Sequence, residues 1–160
     1  MLAGCVTRSA SDGGVSFRYE WWLPASIFAV GLICIPLGFF ARKSSARRGW
    51  GLMIAGPVAA MAIAPSIAFE SVFVDDRGFS AHSGIWGMTA NLDLAFDGVR
   101  TVRIDREETG GRRSRQIEVL YFDKQRGQPE KFPLNNDIKI EAGKEIITRV
   151  QQRGIPVIGG

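Results

Sequence analysis

Charge is what this chain lacks over two long stretches. No Asp, Glu, Lys, Arg or His occurs in the nineteen residues from Trp22 to Phe40, nor in the twenty from Trp50 to Phe69. Helices of globular proteins rarely run so far without a charge, which disfavours a soluble core of two buried helices. Ionisable residues within membrane segments are the usual mark of proton relays and ion paths, so their absence argues against a pump or transporter built from this chain alone. Cysteine is scarce too, with Cys5 and Cys34 only. Cys34 falls inside the first apolar run and Cys5 outside it, which disfavours a bridge between them, and no zinc spacing is present. Histidine occurs once, as His82.

The average composition conceals this segregation. A hydrophobic fraction of 46% and a mean hydropathy of +0.04 would suit an ordinary soluble protein of 160 residues. The net charge of +4 and pI of about 9.4 invite a nucleic-acid reading, but the positive excess is local. Residues 71–160 hold fourteen Lys/Arg against thirteen Asp/Glu, whereas residues 1–70 hold six against three. Four of those six, Arg42, Lys43, Arg47 and Arg48, lie together between the apolar runs. A basic loop beside a membrane helix is a topology signal before it is a partner signal, so no nucleic-acid partner is expected.

The hydrocarbon core of a bilayer is about 30 Å thick, and about 20 helical residues at ~1.5 Å each cross it. Both apolar runs meet that length. Trp21, Trp22 and Trp50 sit where indole rings favour the headgroup region, and Phe39 and Phe40 close the first run. Pro24 falls in a first turn, where its missing N–H costs little, while Pro36, Pro57 and Pro65 should bend their helices. In the second run Gly56, Ala60, Ala64 and Ala68 recur at i+4 spacing, and Gly51, Ala55 and Ala59 form an adjacent row. Small residues let membrane helices approach closely. Packing of the two helices on each other, with Gly31 and Gly38 on the facing side, is the expectation; self-association through the same row is the alternative.

The expected organisation is a disordered Ser- and Gly-rich tail at 1–20, a two-helix transmembrane hairpin at 21–70 and a soluble domain at 71–160. Short loops rich in Lys and Arg stay in the cytoplasm, which would put the basic loop 41–49 there and both termini outside, in a multi-pass cell-membrane protein. Within the tail, Leu2-Ala3-Gly4-Cys5 resembles a lipoprotein lipobox. Only Met1 precedes it, so the basic and apolar regions of a signal peptide are missing; either the true start lies upstream or the match is chance, and chance is preferred.

Beyond residue 70 the periodicity changes to two. Val72 and Val74 alternate with polar positions up to the turn Asp76-Arg77-Gly78, and 79–83 returns as the hairpin partner. Leu92, Leu94 and Phe96 mark the next strand, and Asp97-Gly98 predicts a hairpin into a strand carrying Val99, Val102 and Ile104. Thr109 to Arg113 forms a polar loop, 117–122 the longest strand, and 131–134 a short one whose Pro133 suggests an edge. Ala142, Ile146, Ile147 and Val150 then recur at helical spacing within 141–153, stopped by Gly154 and Pro156. The fold class is therefore a membrane α-helical hairpin followed by an α+β, mainly antiparallel-β domain with a C-terminal helix.

This order of elements resembles bacterial PH-like domains attached to paired membrane helices. Phe73-Val74-Asp75-Asp76-Arg77-Gly78-Phe79 stands in the place of that family's opening hairpin. Ala95-Phe96-Asp97-Gly98-Val99 stands at a strand start, and Val150-Gln151-Gln152-Arg153-Gly154-Ile155 at the end of the closing helix. The resemblance implies a PH-like fold, a domain facing the cytoplasm, and hairpin loops able to meet anionic headgroups. The cytoplasmic placement conflicts with the basic loop, and the loop is preferred because its mechanism is physical.

Catalytic chemistry finds little footing. His82 with Ser80 and Ser83 could be drawn as a base and nucleophile, but neighbouring strand residues alternate faces and no orienting acid is placed by sequence. Asp75-Asp76 and Glu107-Glu108 sit at hairpin ends without calcium-loop spacing, and Gly110-Gly111 lacks the Lys-Ser/Thr of a phosphate loop. Arg112, Arg113 and Arg115 form the best surface candidate, for headgroups or an acidic partner. The expected function is a membrane-anchored, non-catalytic interaction domain that binds protein or lipid headgroups and takes no cofactor and no metal. A subunit or assembly factor of a larger membrane complex is one alternative, and a membrane-bound hydrolase using His82 is another.

Overall fold

The computed structural model describes residues 6–11, 13–83, 90–109, 115–125 and 127–159. In chain order the elements are β1 (Val6–Ser11), β2 (Gly14–Tyr19), α1 (Trp22–Ala41), α2 (Ala46–Phe69), β3 (Ser71–Asp75), β4 (Gly78–Ser83), β5 (Ala90–Ala95), β6 (Val99–Thr109), β7 (Arg115–Lys124), β8 (Glu130–Pro133), α3 (Asp137–Gln152) and β9 (Val157–Ile158). They fall into two compact units, one around the helical pair and one around the strands and α3.

In the helical unit, α1 and α2 are both long and apolar enough to cross a membrane. Each is continuous, running through Pro36 in α1 and through Pro57 and Pro65 in α2. Beside Pro65, the Ser66 hydroxyl donates to the carbonyl of Ala62 at 2.8 Å, one turn back along α2. The pair packs closely because Gly31 and Gly38 are buried in the contact. A Cβ on Gly31 would collide with Ala60, and one on Gly38 with Met53. By contrast, Phe28, Leu32, Ile33, Phe39, Ile54 and Met61 are exposed along these helices, the apolar surface a bilayer would cover.

The sheet unit departs from the sequence reading at its start. Residues 6–19 form a strand pair, not a disordered tail, and the five-stranded sheet runs β1-β2-β3-β4-β5. Val15 and Phe17 on β2 are buried at 8% and 3% exposure, which supplies the apolar area that orders them. Because β2 and β3 are sheet neighbours, the helical pair is an insertion within the domain and does not precede it. Residues 71–160 thus lack two of the strands of their own sheet.

A second correction concerns Asp97-Gly98. The turn forms, with Val99 N–H donating to the Phe96 carbonyl at 3.1 Å and Gly98 at φ 91°. It makes no hairpin, however: β5 ends the first sheet, while β6 belongs to a four-stranded sheet of order β8-β7-β6-β9. The turn is a corner between sheets. In the second sheet β6 and β7 are antiparallel over their length, β8 lies at the edge that Pro133 suggested, and β9 pairs parallel to β6 through Val102 and Arg103. The C-terminal helix begins at Asp137, earlier than the apolar spacing indicates, because the Asn136 side chain caps it by accepting from Lys139 N–H at 2.9 Å.

The core joins the two sheets through aromatic rings. Phe79 of β4 lies 5.3 Å from Phe122 of β7, 5.0 Å from Phe132 of β8 and 6.3 Å from Phe96, centroid to centroid. Ile138, Ala142, Ile146 and Val150 of α3 are fully buried. Truncating a buried Phe typically costs about 3–5 kcal/mol, so the Phe79 cluster is a dominant contributor. Ion pairs fasten α3 to the first sheet and to the corner that follows it: Arg8 to Glu145 at 2.9 Å, Arg149 to Asp76, and Arg153 to Asp97 at 2.7 Å, with Arg149 to Glu145 at 3.0 Å linking the first two within the helix. Arg149 and Glu145 are only 14% and 17% exposed, the setting in which a lost partner is costly.

Two chains test the insertion. Residues 6–19 joined to 71–159 through a short Gly/Ser linker should be soluble and give a sharp unfolding transition. Residues 71–160 alone should aggregate or unfold without cooperativity, since β3 is left as a bare edge. Equal stability of the two would show that β1 and β2 add nothing to the domain.

Candidate interaction surface

The sites expected from sequence have different fates. Arg112 and Arg113 lie outside the described residues, and for Arg115 only the backbone is described, at the start of β7. Cys5 also lies outside them. In the small-residue row, Ala60 and Ala64 are buried and Gly56 abuts Cys34, so this face meets α1; Ala68, one turn on, is exposed. The adjacent row of Gly51, Ala55 and Ala59 is exposed. His82 is exposed on β4, and no carboxylate is hydrogen-bonded to it among the described residues. Among the described residues, no three His, Cys, Asp or Glu side chains converge as a metal would need.

The sequence reading missed a groove of about 410 Å³ where β6, β7 and the start of α3 meet. Ile117, Leu134 and Ile140 give it an apolar lining, and Arg106, Glu118 and Asp137 are its charged members. Arg106 pairs with Glu118 at 3.5 Å, and Leu134 is held by its N–H donating to the Glu118 carbonyl at 2.8 Å. Ile140 is 39% exposed. Outside the helical unit it shares that condition with Ile158 alone among the large apolar side chains described. A signal existed: Ile138, Ala142, Ile146 and Val150 repeat every four residues, and Ile140 is out of phase with them.

A polar cluster occupies another part of the second sheet. Arg103, Tyr121 and Lys131 stand opposite one another across β6, β7 and β8. The Arg103 guanidinium lies 5.5 Å and the Lys131 ammonium 5.0 Å from the Tyr121 ring centre. Glu107 accepts from Lys131 Nζ at 2.6 Å and from the Tyr121 hydroxyl. The Lys131 ammonium, then the Tyr121 hydroxyl, hold the Glu107 carboxyl below its ordinary value of 4.5. Glu107, and secondarily Tyr121, raise Lys131 above 10.5, and the bond to Asp123 raises Arg103. These charges satisfy each other, which makes the cluster a brace between strands.

The signs fix a pH window. A depressed carboxyl stabilises the fold above pH 4.5, and this contribution is lost as pH falls through its folded value; the raised Lys131 stabilises below pH 10.5 and loses its effect as pH rises through its own. Substituting Lys131→Met should therefore move the Glu107 titration upward, toward 4.5, with a smaller rise for Tyr121→Phe. Carboxyl-resolved NMR titration checks this, and an unmoved Glu107 would refute the assignment. Comparison with known proteins gave no matching family model, no matching curated protein and no matching solved structure.

Proposed function

We propose that this chain is a membrane-anchored, non-catalytic interaction protein whose helical pair crosses the bilayer and whose sheet domain, PH-like in type, recognises a protein partner. The observation that carries the reading is the insertion of the apolar pair between β2 and β3. An anchor attached at a terminus can be cut away from the domain it carries; this one interrupts the sheet, so the domain is held at the membrane through two connections. The groove at Ile140 supports protein over headgroup recognition. Arg106 is paired with Glu118, and Asp137 adds a negative charge, a balance suited to a peptide surface and unsuited to a phosphate.

Photoreactive residues placed at Ile140, at Ala55 and at Arg100, toward the other end of β6, separate the readings in native membranes. The proposal expects a discrete protein adduct from Ile140 and none from Arg100. Adducts from Ala55 alone would favour a subunit of a larger membrane complex. Lipid adducts or none from Ile140 would overturn the protein-partner reading.

For orientation, the same proposal places the connector between α1 and α2 in the cytoplasm and the sheet domain outside, following its four bases. With β2 and β3 paired, both outer ends of the helical pair belong to one sheet, so residues 6–19 and 71–159 share one side. A reporter active only outside the cytoplasm, joined after Gly160, should be active. Silence there, with a cytoplasm-active reporter working at the same position, would reverse the assignment.

A further inference from the structure

We propose that the connector Arg42 to Arg48 is a contact site for anionic phospholipid headgroups, gathering such lipids around the turn of the helical pair. The proposal rests on the pair spanning a bilayer, as read above. Its ground is an unbalanced charge. Arg42, Lys43, Arg47 and Arg48 lie within seven residues, and among the described residues none of them forms an ion pair. No acid occurs between Glu20 and Glu70. From Arg48 to Glu70 the 24-residue α2 puts about 33 Å between opposite charges, at ~1.5 Å per residue. Salt screens charges beyond about 8–10 Å, so neither acid neutralises the connector.

Helix stability does not account for these bases. Arg47 and Arg48 stand in the first turn of α2, which holds no acid, and a cation there opposes the helix dipole. Their position serves something outside the helix. The other two bases are held against rings at the same end. Arg42 lies 4.7 Å from the Trp50 ring centre and Lys43 5.8 Å from that of Phe40. Both rings are exposed, Trp50 at 49% and Phe40 at 65%, as residues at a headgroup boundary are. Four cations beside two interfacial aromatics, with no protein counter-charge, match an anionic headgroup layer; each base near such a surface attracts by ~1 kcal/mol, about fivefold in local lipid concentration.

Trp50 reports the result directly. In the full chain with Trp21, Trp22 and Trp86 changed to Phe, Trp50 fluorescence is measured in phosphatidylcholine vesicles containing brominated phosphatidylglycerol or brominated phosphatidylcholine at equal mole fraction. Quenching by the brominated glycerol lipid should exceed that by the choline lipid about twofold or more. The excess should vanish when Arg42, Lys43, Arg47 and Arg48 are changed to Gln, and should shrink at 1 M salt, where screening reaches about 3 Å. Equal quenching by both lipids in the parent chain would overturn the proposal while leaving insertion intact. Absence of quenching by either would overturn the spanning reading itself. An excess abolished by millimolar inorganic phosphate at constant ionic strength would identify a site for free phosphate and overturn the lipid assignment.

Discussion

The hydrogen-bonded seam between β2 and β3 joins segments separated by 51 residues of chain, most of them apolar helix. Bringing two strands together across a flexible loop of that length costs loop entropy, which grows by about 0.6 kcal/mol for each doubling. Here the intervening chain is not flexible. Close packing at Gly31 and Gly38 folds α1 back along α2, so the chain that leaves β2 returns for β3 through a pre-formed hairpin. The outer end of the first sheet depends on this seam, because β1 joins the sheet only through β2.

Energetically the domain is organised as two sheets sharing one aromatic centre. Phe79 of the first sheet meets Phe122 and Phe132 of the second and Phe96 beside the Asp97-Gly98 corner that carries the chain from one sheet to the other. Around this centre, α3 adds its apolar stripe on one side and a line of ion pairs from Arg8 to Asp76 on the other. The polar cluster at Tyr121 braces the second sheet across three strands. Neither network leaves an obvious reactive group exposed, and both read as architecture.

Legibility in the sequence followed the range of the signal. The helical pair announced itself because charges are costly in hydrocarbon and their absence over twenty residues is conspicuous. Strands such as β3 and β7 were visible from alternation alone. β2 was missed although Val15, Phe17 and Tyr19 alternate with Ser16 and Arg18, because so short a run sits in a Ser- and Gly-rich stretch whose composition reads as disorder. Asp97-Gly98 gave the turn but not its consequence, because turn chemistry sets local dihedral angles and says nothing of which sheet the next strand joins. β9 pairs two residues with a strand some fifty positions earlier, a contact no local pattern encodes. The groove was half visible: Ile140 was out of phase on its helix, but Ile117 and Leu134 reach it only through the pairing of β7 and the path out of β8.

The seam also has a history within each molecule. Synthesis proceeds from the N-terminus at roughly 5–20 residues per second, so β1 and β2 emerge about 50 residues, or some 3–10 seconds, before β3 exists to receive them. During that interval they are an isolated strand pair with the β2 edge unsatisfied, attached to two long apolar segments. The sheet can close only after both helices have been made. Completion of the domain therefore waits on both helices, and a chain whose second helix fails to pair with the first exposes an unfinished edge to the quality-control machinery of the cell.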